Sequence, residues 1–345
     1  MEKRVSLKDV AKEVGVSTAL VSYVLNNKKE GRIRKEVAQK IREVAHKLNY
    51  RPNQIAKSLK TRKTYTIGLV VADIANAFFS TLARIIEDEA EKNRYTVIFG
   101  SSDEMAERSQ KLLDVLLDRQ VDGVILAAAE KTEPQIRQLQ ERGIPFVLVD
   151  RYFPSLDVNY VGVKNFEAAY QCAVHLLESG RRRIGIVGFK TTLIHLEDRK
   201  KGFLKGLKDH GVSVKKEQIK EVALDASKEE VEAAIQQLLA EPNPVDALFF
   251  ASNKLSTFGL IYINTLPLQV PEDLAICSFD QSDATELFYS RLTYVRQPLH
   301  EMGRQAIELL LQAINDGGAV RQIHLDAELV IGQSTTPCKS VAKKN

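Results

Sequence analysis

The chain predicts two architectures in tandem: a small all-α head containing a helix-turn-helix, then an α/β core of two doubly wound subdomains. Three observations predict it. Helical periodicity broken by one glycine turn fills the first fifty residues. From residue 65 onward, short β-branched runs alternate with helical patterns, and the rhythm restarts once near residue 165. Charge divides the chain at the same place. Residues 1–63 hold 17 Lys and Arg against 6 Asp and Glu, a net of +11. All 345 residues hold 49 against 45, which leaves 32 against 39, a net of −7, for residues 64–345. A basic head on an acidic body predicts a polyanionic partner for one end only.

The head is expected over residues 1–50. Ser6-Leu7-Lys8-Asp9 has the form of a capping box, in which a hydroxyl and a carboxylate three residues later satisfy free amides at a helix start. Leu7, Val10, Ala11 and Val14 recur at helical spacing, and Gly15 stands where a helix ends in a left-handed residue. Ser17 then caps a second helix whose inward face is Leu20, Val21, Val24 and Leu25. Helix, glycine turn and capped helix form the geometry that puts the second helix into a DNA major groove. A third helix is expected over residues 34–48, with Val37, Ile41, Val44, Ala45 and Leu48 on one stripe. A plain three-helix bundle would show the same periodicity, but not +11 on so few residues, since phosphate contacts need clustered Lys and Arg.

Residues 5–26, VSLKDVAKEVGVSTALVSYVLN, followed by LNYRPNQIAKSL at residues 48–59, strongly resemble the LacI/GalR (lac repressor-like) family of bacterial transcription factors. The resemblance extends over nearly the whole chain. It implies that the start of the second helix faces base edges through Thr18, Ala19, Ser22 and Tyr23, with Ser6 and Ser17 also on the DNA. The methyls of Thr18 and Ala19 suit thymine. Tyr23 departs from the Arg or His common in the family, so a guanine-reading bidentate Arg is absent there. The loop at residues 28–32 is about two residues long relative to family members, and Arg34 stands where a Ser cap is usual.

Residues 51–63 read as a switch. Pro52 bars helix at Arg51, and residues 53–59 have room for about two helical turns, which are marginal alone in water. A plain flexible linker has the same composition. The resemblance implies instead a hinge helix that orders on operator DNA, with Asn53, Ala56 and Lys60 at the DNA and Leu59 as an apolar wedge in the minor groove. So cheap an order–disorder balance is one that a distant ligand tips.

Residues 64–345 read as the effector-binding and dimerisation core. Residues 66–72, 95–100, 121–127 and 144–149 are expected strands of buried parallel type, with helices over 78–92, 105–119 and 134–142 between them. The second series expects strands at 183–189, 222–225, 245–252 and 274–280, and helices at 165–179, 198–210, 227–239 and 253–264. The first subdomain is expected over about 64–162 and 292–319, the second over about 163–290 and 320–336. The resemblance implies a periplasmic-binding-protein-like core with a small effector in the cleft, beyond the carboxyl ends of the strands.

Cleft candidates follow strand ends. Asp73, Asn76 and Phe79 follow the first strand; the stretch DIANAFF at residues 73–79 resembles a common family segment, with Ala77 in place of proline. Phe79 either stacks on a ligand ring or belongs to the core. Asp150 and Arg151 follow the fourth strand, and Asp150 matches a family ligand position. Arg199, three residues before Gly202-Phe203, matches an arginine that contacts the effector in the family; the alternative is an exposed helix charge. Asn253 opens a helix, and Asp280 ends a strand. An amide and a carboxylate at opposing strand ends bind hydroxyl groups well. Lys254 stands where Asp is usual, and Arg151, Arg199 and Lys254 together point to a sugar acid or sugar phosphate as alternatives to a neutral sugar.

Rival classes find less support. No Gly-x-Ser-x-Gly elbow, Walker loop, His-Glu-x-x-His or dinucleotide fingerprint is present, and His300-Glu301 lacks a second histidine, so neither catalysis nor a cofactor is expected. Cys172, Cys277 and Cys338 are odd in number and widely spaced, which gives no metal or disulfide signal. No apolar run reaches the roughly 20 residues of a membrane helix, and the start lacks a secretory apolar stretch, so a cytoplasmic protein is expected. A transport sugar-binding protein would share the core without the basic head, and an architectural DNA-binding protein would lack the large body. The expected partners are double-stranded, pseudo-palindromic operator DNA, a sugar-type effector and a second copy of the chain.

Overall fold

A computed structural model describes residues 5–26, 33–50, 63–240 and 242–336. The chain divides into two units, Met1–Thr64 and Tyr65–Asn345. The first is a bundle of α1 (Leu7–Val14), α2 (Thr18–Leu25) and α3 (Lys35–Lys47). The Ser6 amide and hydroxyl both donate to the Asp9 carboxylate, at 2.8 and 2.7 Å, so the acid caps the helix and the hydroxyl donates rather than accepts. Gly15 ends α1 at φ 79°, in the left-handed region that lacks a penalty only for glycine. The Ser17 hydroxyl accepts from the Leu20 amide at 3.2 Å and starts α2. Arg34 caps α3 with no side-chain hydrogen bond, forgoing about 1 kcal/mol that a Ser there would supply. Val10, Ala11, Val21, Val24, Ile41 and Ala45 form the buried core.

The second unit contains two sheets. The first half runs β1 (Thr66–Val71), α4 (Ala77–Lys92), β2 (Thr96–Ser101), α5 (Ala106–Asp118), β3 (Gly123–Leu126), α6 (Glu133–Glu141), β4 (Phe146–Val149) and β5 (Tyr160–Val163). The second half repeats the rhythm with α7 (Asn165–Glu178), β6 (Ile184–Phe189), α8 (Ile194–Asp209), β7 (Ile219–Val222), α9 (Lys228–Leu238), β8 (Ala247–Phe250), α10 (Asn253–Ile263), β9 (Ala275–Phe279), α11 (Asp283–Leu287) and β10 (Thr293–Arg296). Then come α12 (Leu299–Asp316), β11 (Gln322–Leu325) and β12 (Glu328–Val330).

Strand order is β11-β5-β4-β3-β1-β2 in one sheet and β12-β10-β9-β8-β6-β7 in the other, so the two halves share one topology. All pairings are parallel except β10 with β12. Strands β3, β4, β5, β6, β8 and β9 are buried throughout, as continuous apolar runs covered by helices on both faces require.

The subdomain boundaries differ from the sequence expectation. β10 pairs with β9, so the second subdomain extends to residue 296 rather than 290. α12 packs on the first core through Met302, Ala306 and Leu310. β11 joins β5 of the first sheet while β12 joins β10 of the second, so residues 322–325 belong to the first subdomain. Apolar spacing identifies strands but does not say which of two similar sheets each one joins. The strand expected at 222–225 lies at Ile219–Val222, and β5 was not expected at all. The chain thus crosses between subdomains three times, near residues 164, 297 and 326.

Helices α7 and α8 meet closely. A Cβ on Gly202 would run into the Phe166 carbonyl, and one on Gly206 would lie 2.9 Å from the Tyr170 carbonyl. Among the described residues, no helix is long and apolar enough to cross a membrane.

Candidate functional site

Two groups of residues stand out, one in each unit. On the head, Ser17, Thr18, Ala19 and Tyr23 are exposed and Ser22 is half-buried, while Val21 and Val24 of the same helix are buried. The polar, small-residue side of α2 therefore faces away from the core. Asn26 donates from Nδ2 to the Ser22 carbonyl at 2.7 Å and closes the end of α2. Ser6 is exposed at the start of α1. Asn53, Ala56, Leu59, Lys60 and the loop at residues 28–32 lie outside the described residues.

In the body, one cleft gathers every effector candidate named from the sequence. Asp73, Asn76, Phe79, Asp150 and Arg151 come from the first subdomain, and Arg199, Asn253 and Asp280 from the second. Topology explains the convergence. Each candidate follows the carboxyl end of a strand or sits on the helix after it, and the two sheets present those ends to each other. Asp150 and Asp280 end the topologically equivalent strands β4 and β9, and both adopt left-handed backbone, with φ 66° and 73°. Left-handed aspartates are uncommon outside turns and functional sites.

Each arginine is buried and paired. Arg151 makes a bidentate pair with Glu104, Nη1 and Nη2 each 2.6 Å from a carboxylate oxygen. Its Nη1 also donates to the Ala128 carbonyl at 3.2 Å, and its guanidinium carbon lies 5.3 Å from the Phe79 ring centre. Arg199 donates from Nε to Asn165 Oδ1 at 2.8 Å, and from Nη1 to the Ala251 carbonyl and Asp280 Oδ2 at 2.9 and 3.2 Å. The Phe279 ring stacks 3.7 Å from its guanidinium carbon. Arg199 is only 3% exposed, so it is no solvated helix charge. Phe79 packs in the first core and also lines the cleft, so both readings of it hold. Lys254 points at the Leu224 carbonyl, 2.8 Å away.

Sequence reasoning missed Glu104, His195 and Gln297, which also line the cleft. Gln297 lies on the second crossover and donates to Asp280 Oδ1 at 2.5 Å. His195 opens α8 with Nε2 4.0 Å from Asp150 Oδ2. Burial, with Arg151 and Arg199 beside it, holds its imidazole far below the ordinary histidine range, so it is neutral. Burial pushes the Asp150 carboxyl up to about 6, against the pull of Arg151 and Arg199. No local motif marked these residues; only the assembled cleft does.

Four buried polar atoms in this cleft have no hydrogen-bond partner among the described residues: Asp150 Oδ1, Arg151 Nε, His195 Nδ1 and Gln297 Oε1. Leaving one such atom unmatched costs about 1–3 kcal/mol. Their concentration in one cavity of about 70 Å³ marks a place made to receive polar groups.

Two contacts bridge the subdomains beside the cavity. Asn76 and Asn253 exchange amide hydrogen bonds of 3.2 and 2.7 Å. Glu130, after β3, accepts from the Thr191 hydroxyl, the Thr192 amide and the Thr192 hydroxyl after β6, at 2.5, 2.6 and 3.1 Å. Burial opposes its ionisation, yet those hydrogen bonds hold the Glu130 carboxyl below the usual range.

Comparison with known proteins agrees with both halves. Residues 6–53 match the family described as bacterial regulatory proteins, lacI family, and residues 64–331 match the periplasmic binding proteins and sugar binding domain of LacI family. Catabolite control protein A of Priestia megaterium is 31% identical over 90% of this chain and 93% of its own length. The HTH-type transcriptional repressor CytR of Escherichia coli K12 is 30% identical over 97% of each chain. The lac repressor dimer bound to operator and the anti-inducer ONPF shares the fold, with a TM-score of 0.85, 20% identity and coverage of 97% of this chain and 100% of that one. This chain belongs to the LacI family of bacterial transcription regulators.

Proposed function

We propose that this protein is a homodimeric repressor whose grip on a pseudo-palindromic operator is controlled by a sugar-type effector in the cleft of Asp73, Asn76, Phe79, Asp150, Arg151, Arg199, Asn253 and Asp280. The observation that carries the reading is that single cleft, where two subdomains converge on unmatched buried polar atoms, in one chain with a basic helix-turn-helix head. Thr18, Ala19, Ser22 and Tyr23 read base edges, Ser6 and Ser17 contact the backbone, and two hinge segments carrying Asn53, Ala56, Leu59 and Lys60 enter the minor groove. The protein acts in the cytoplasm, where its DNA is, and performs no catalysis.

Control follows from differential binding. A ligand held by both subdomains favours their closed arrangement, and it moves the operator equilibrium only by its difference in affinity between the two states. Exposed apolar side chains support a dimer: Phe99 and Val115 on the first subdomain, Leu287 and Tyr289 on the second. The test is fluorescence anisotropy of labelled operator DNA with the full chain, across a panel of sugars. A change of tenfold or more in operator affinity with one compound supports the reading. Operator binding that no cleft ligand alters would overturn it.

A further inference from the structure

The cleft's cations invite an acidic ligand when read from sequence, but the structure pairs them internally. Arg151 faces Glu104 in a bidentate pair and Arg199 faces Asp280. Lys254 is turned to a backbone carbonyl. Among the lining residues, Arg151, Arg199 and Lys254 stand against Asp73, Glu104, Asp150 and Asp280. A carboxylate or phosphate entering this space meets a fourth acid for every three cations, and it would have to displace a buried protein carboxylate to gain an arginine.

The unmatched atoms describe the complement. Asp150 Oδ1 and Gln297 Oε1 are acceptors and call for donors on the ligand. Arg151 Nε is a donor, and neutral His195 Nδ1 takes either role. Hydroxyl groups serve all four, because each donates and accepts; carboxylate and phosphate oxygens only accept. Phe79, Phe189 and Leu196 supply apolar walls for a ring. Size is compatible with a sugar. A cavity of about 70 Å³ holds roughly five to seven waters, which displace on the order of 150–200 Å³ of liquid, room for a sugar ring with its hydroxyls.

We infer that the effector is a neutral sugar gripped by Asp150, His195 and Gln297 through its hydroxyls, and that the Glu104–Arg151 pair excludes sugar acids and sugar phosphates. The inference rests on the sugar-effector reading above and assigns His195, Gln297 and Glu104 to specificity.

Isothermal titration of the full chain with matched sets tests it: aldopentoses and aldohexoses, their aldonates and their terminal phosphates. The expected result is a neutral sugar bound at least tenfold more tightly than its own aldonate or phosphate. An acid or phosphate that binds as tightly as its neutral parent overturns this inference and leaves the sugar-effector reading standing. Failure of every compound to bind overturns the sugar-effector reading itself. Glu104→Gln frees the Arg151 guanidinium and should shift the ratio at least tenfold towards the aldonate. An unchanged ratio in a variant that still binds the neutral sugar would remove Glu104 from discrimination.

Discussion

Asn76 and Asn253 exchange side-chain amide hydrogen bonds across the cleft, one at the start of α4 in the first subdomain and one opening α10 in the second. Asn76 Oδ1 also accepts from the Phe78 amide at 3.0 Å, so the same side chain caps its helix and ties the subdomains together. Replacing Asn76 by Ala should therefore cost the cap and the bridge, on the order of 1–2 kcal/mol in body stability. A double-mutant cycle with Asn253→Ala, read by urea unfolding, separates the two parts. A coupling energy near zero would show that the bridge contributes nothing.

Glu130→Ala removes an acceptor for three donors on Thr191 and Thr192. The closed arrangement should lose population, seen as a larger radius of gyration by small-angle scattering and several-fold weaker effector binding. Because the Glu130 carboxyl sits below its ordinary range, its contribution is complete at neutral pH. It should fade as pH falls below the usual carboxylate range, since the unfolded or open chain takes up the proton first. An unchanged radius in the variant would exclude a latch.

Asp150 behaves in the opposite sense. Its pKa of about 6 stands above the ordinary 3.8. Between those values the folded body keeps a proton that the unfolded chain has released, so stability falls as pH rises through that window. A ligand hydroxyl donating to Asp150 needs the carboxylate, in a cleft it shares with Asp73, Glu104, Arg151, His195, Arg199, Lys254 and Asp280. Effector affinity should weaken as pH drops below about 6, with proton release on binding near that pH. Calorimetry in buffers of different ionisation heat measures the release, and Asp150→Asn should abolish it.

The reader and the sensor should separate by mutation. Arg199→Ala should abolish the effector response and leave operator affinity intact, because Arg199 is confined to the body cleft. Leu59→Ala should weaken specific operator binding far more than non-specific binding, as a lost minor-groove wedge predicts. Equal losses on operator and random DNA would assign Leu59 to general affinity alone.

Legibility in the sequence followed the range of the interactions. The head was readable almost residue by residue, because Ser6, Gly15 and Ser17 act within one helical turn of themselves. The alternating strands and helices of the body were equally local. What escaped depended on partners far along the chain. Whether residues 322–325 joined the first sheet or the second turned on pairing with β5, some 160 residues earlier. Arg151 reads as a free cation from its neighbours in sequence, because its partner Glu104 reaches it from a loop before α5, 47 residues away. Gln297 and His195 carry no motif, and their role exists only where two subdomains face each other.

The close fit of Gly202 and Gly206 against Phe166 and Tyr170 has a practical side for anyone converting this scaffold into a biosensor. It packs α7 and α8 into one closely fitted pair, tied also by the hydrogen bond from Arg199 to Asn165 beside the first crossover. Recognition can be retuned at Phe79 or Phe189, which lie outside that helix pair. Bulk added along the glycine seam would push the two helices apart and disturb the Arg199–Asn165 contact that depends on their spacing.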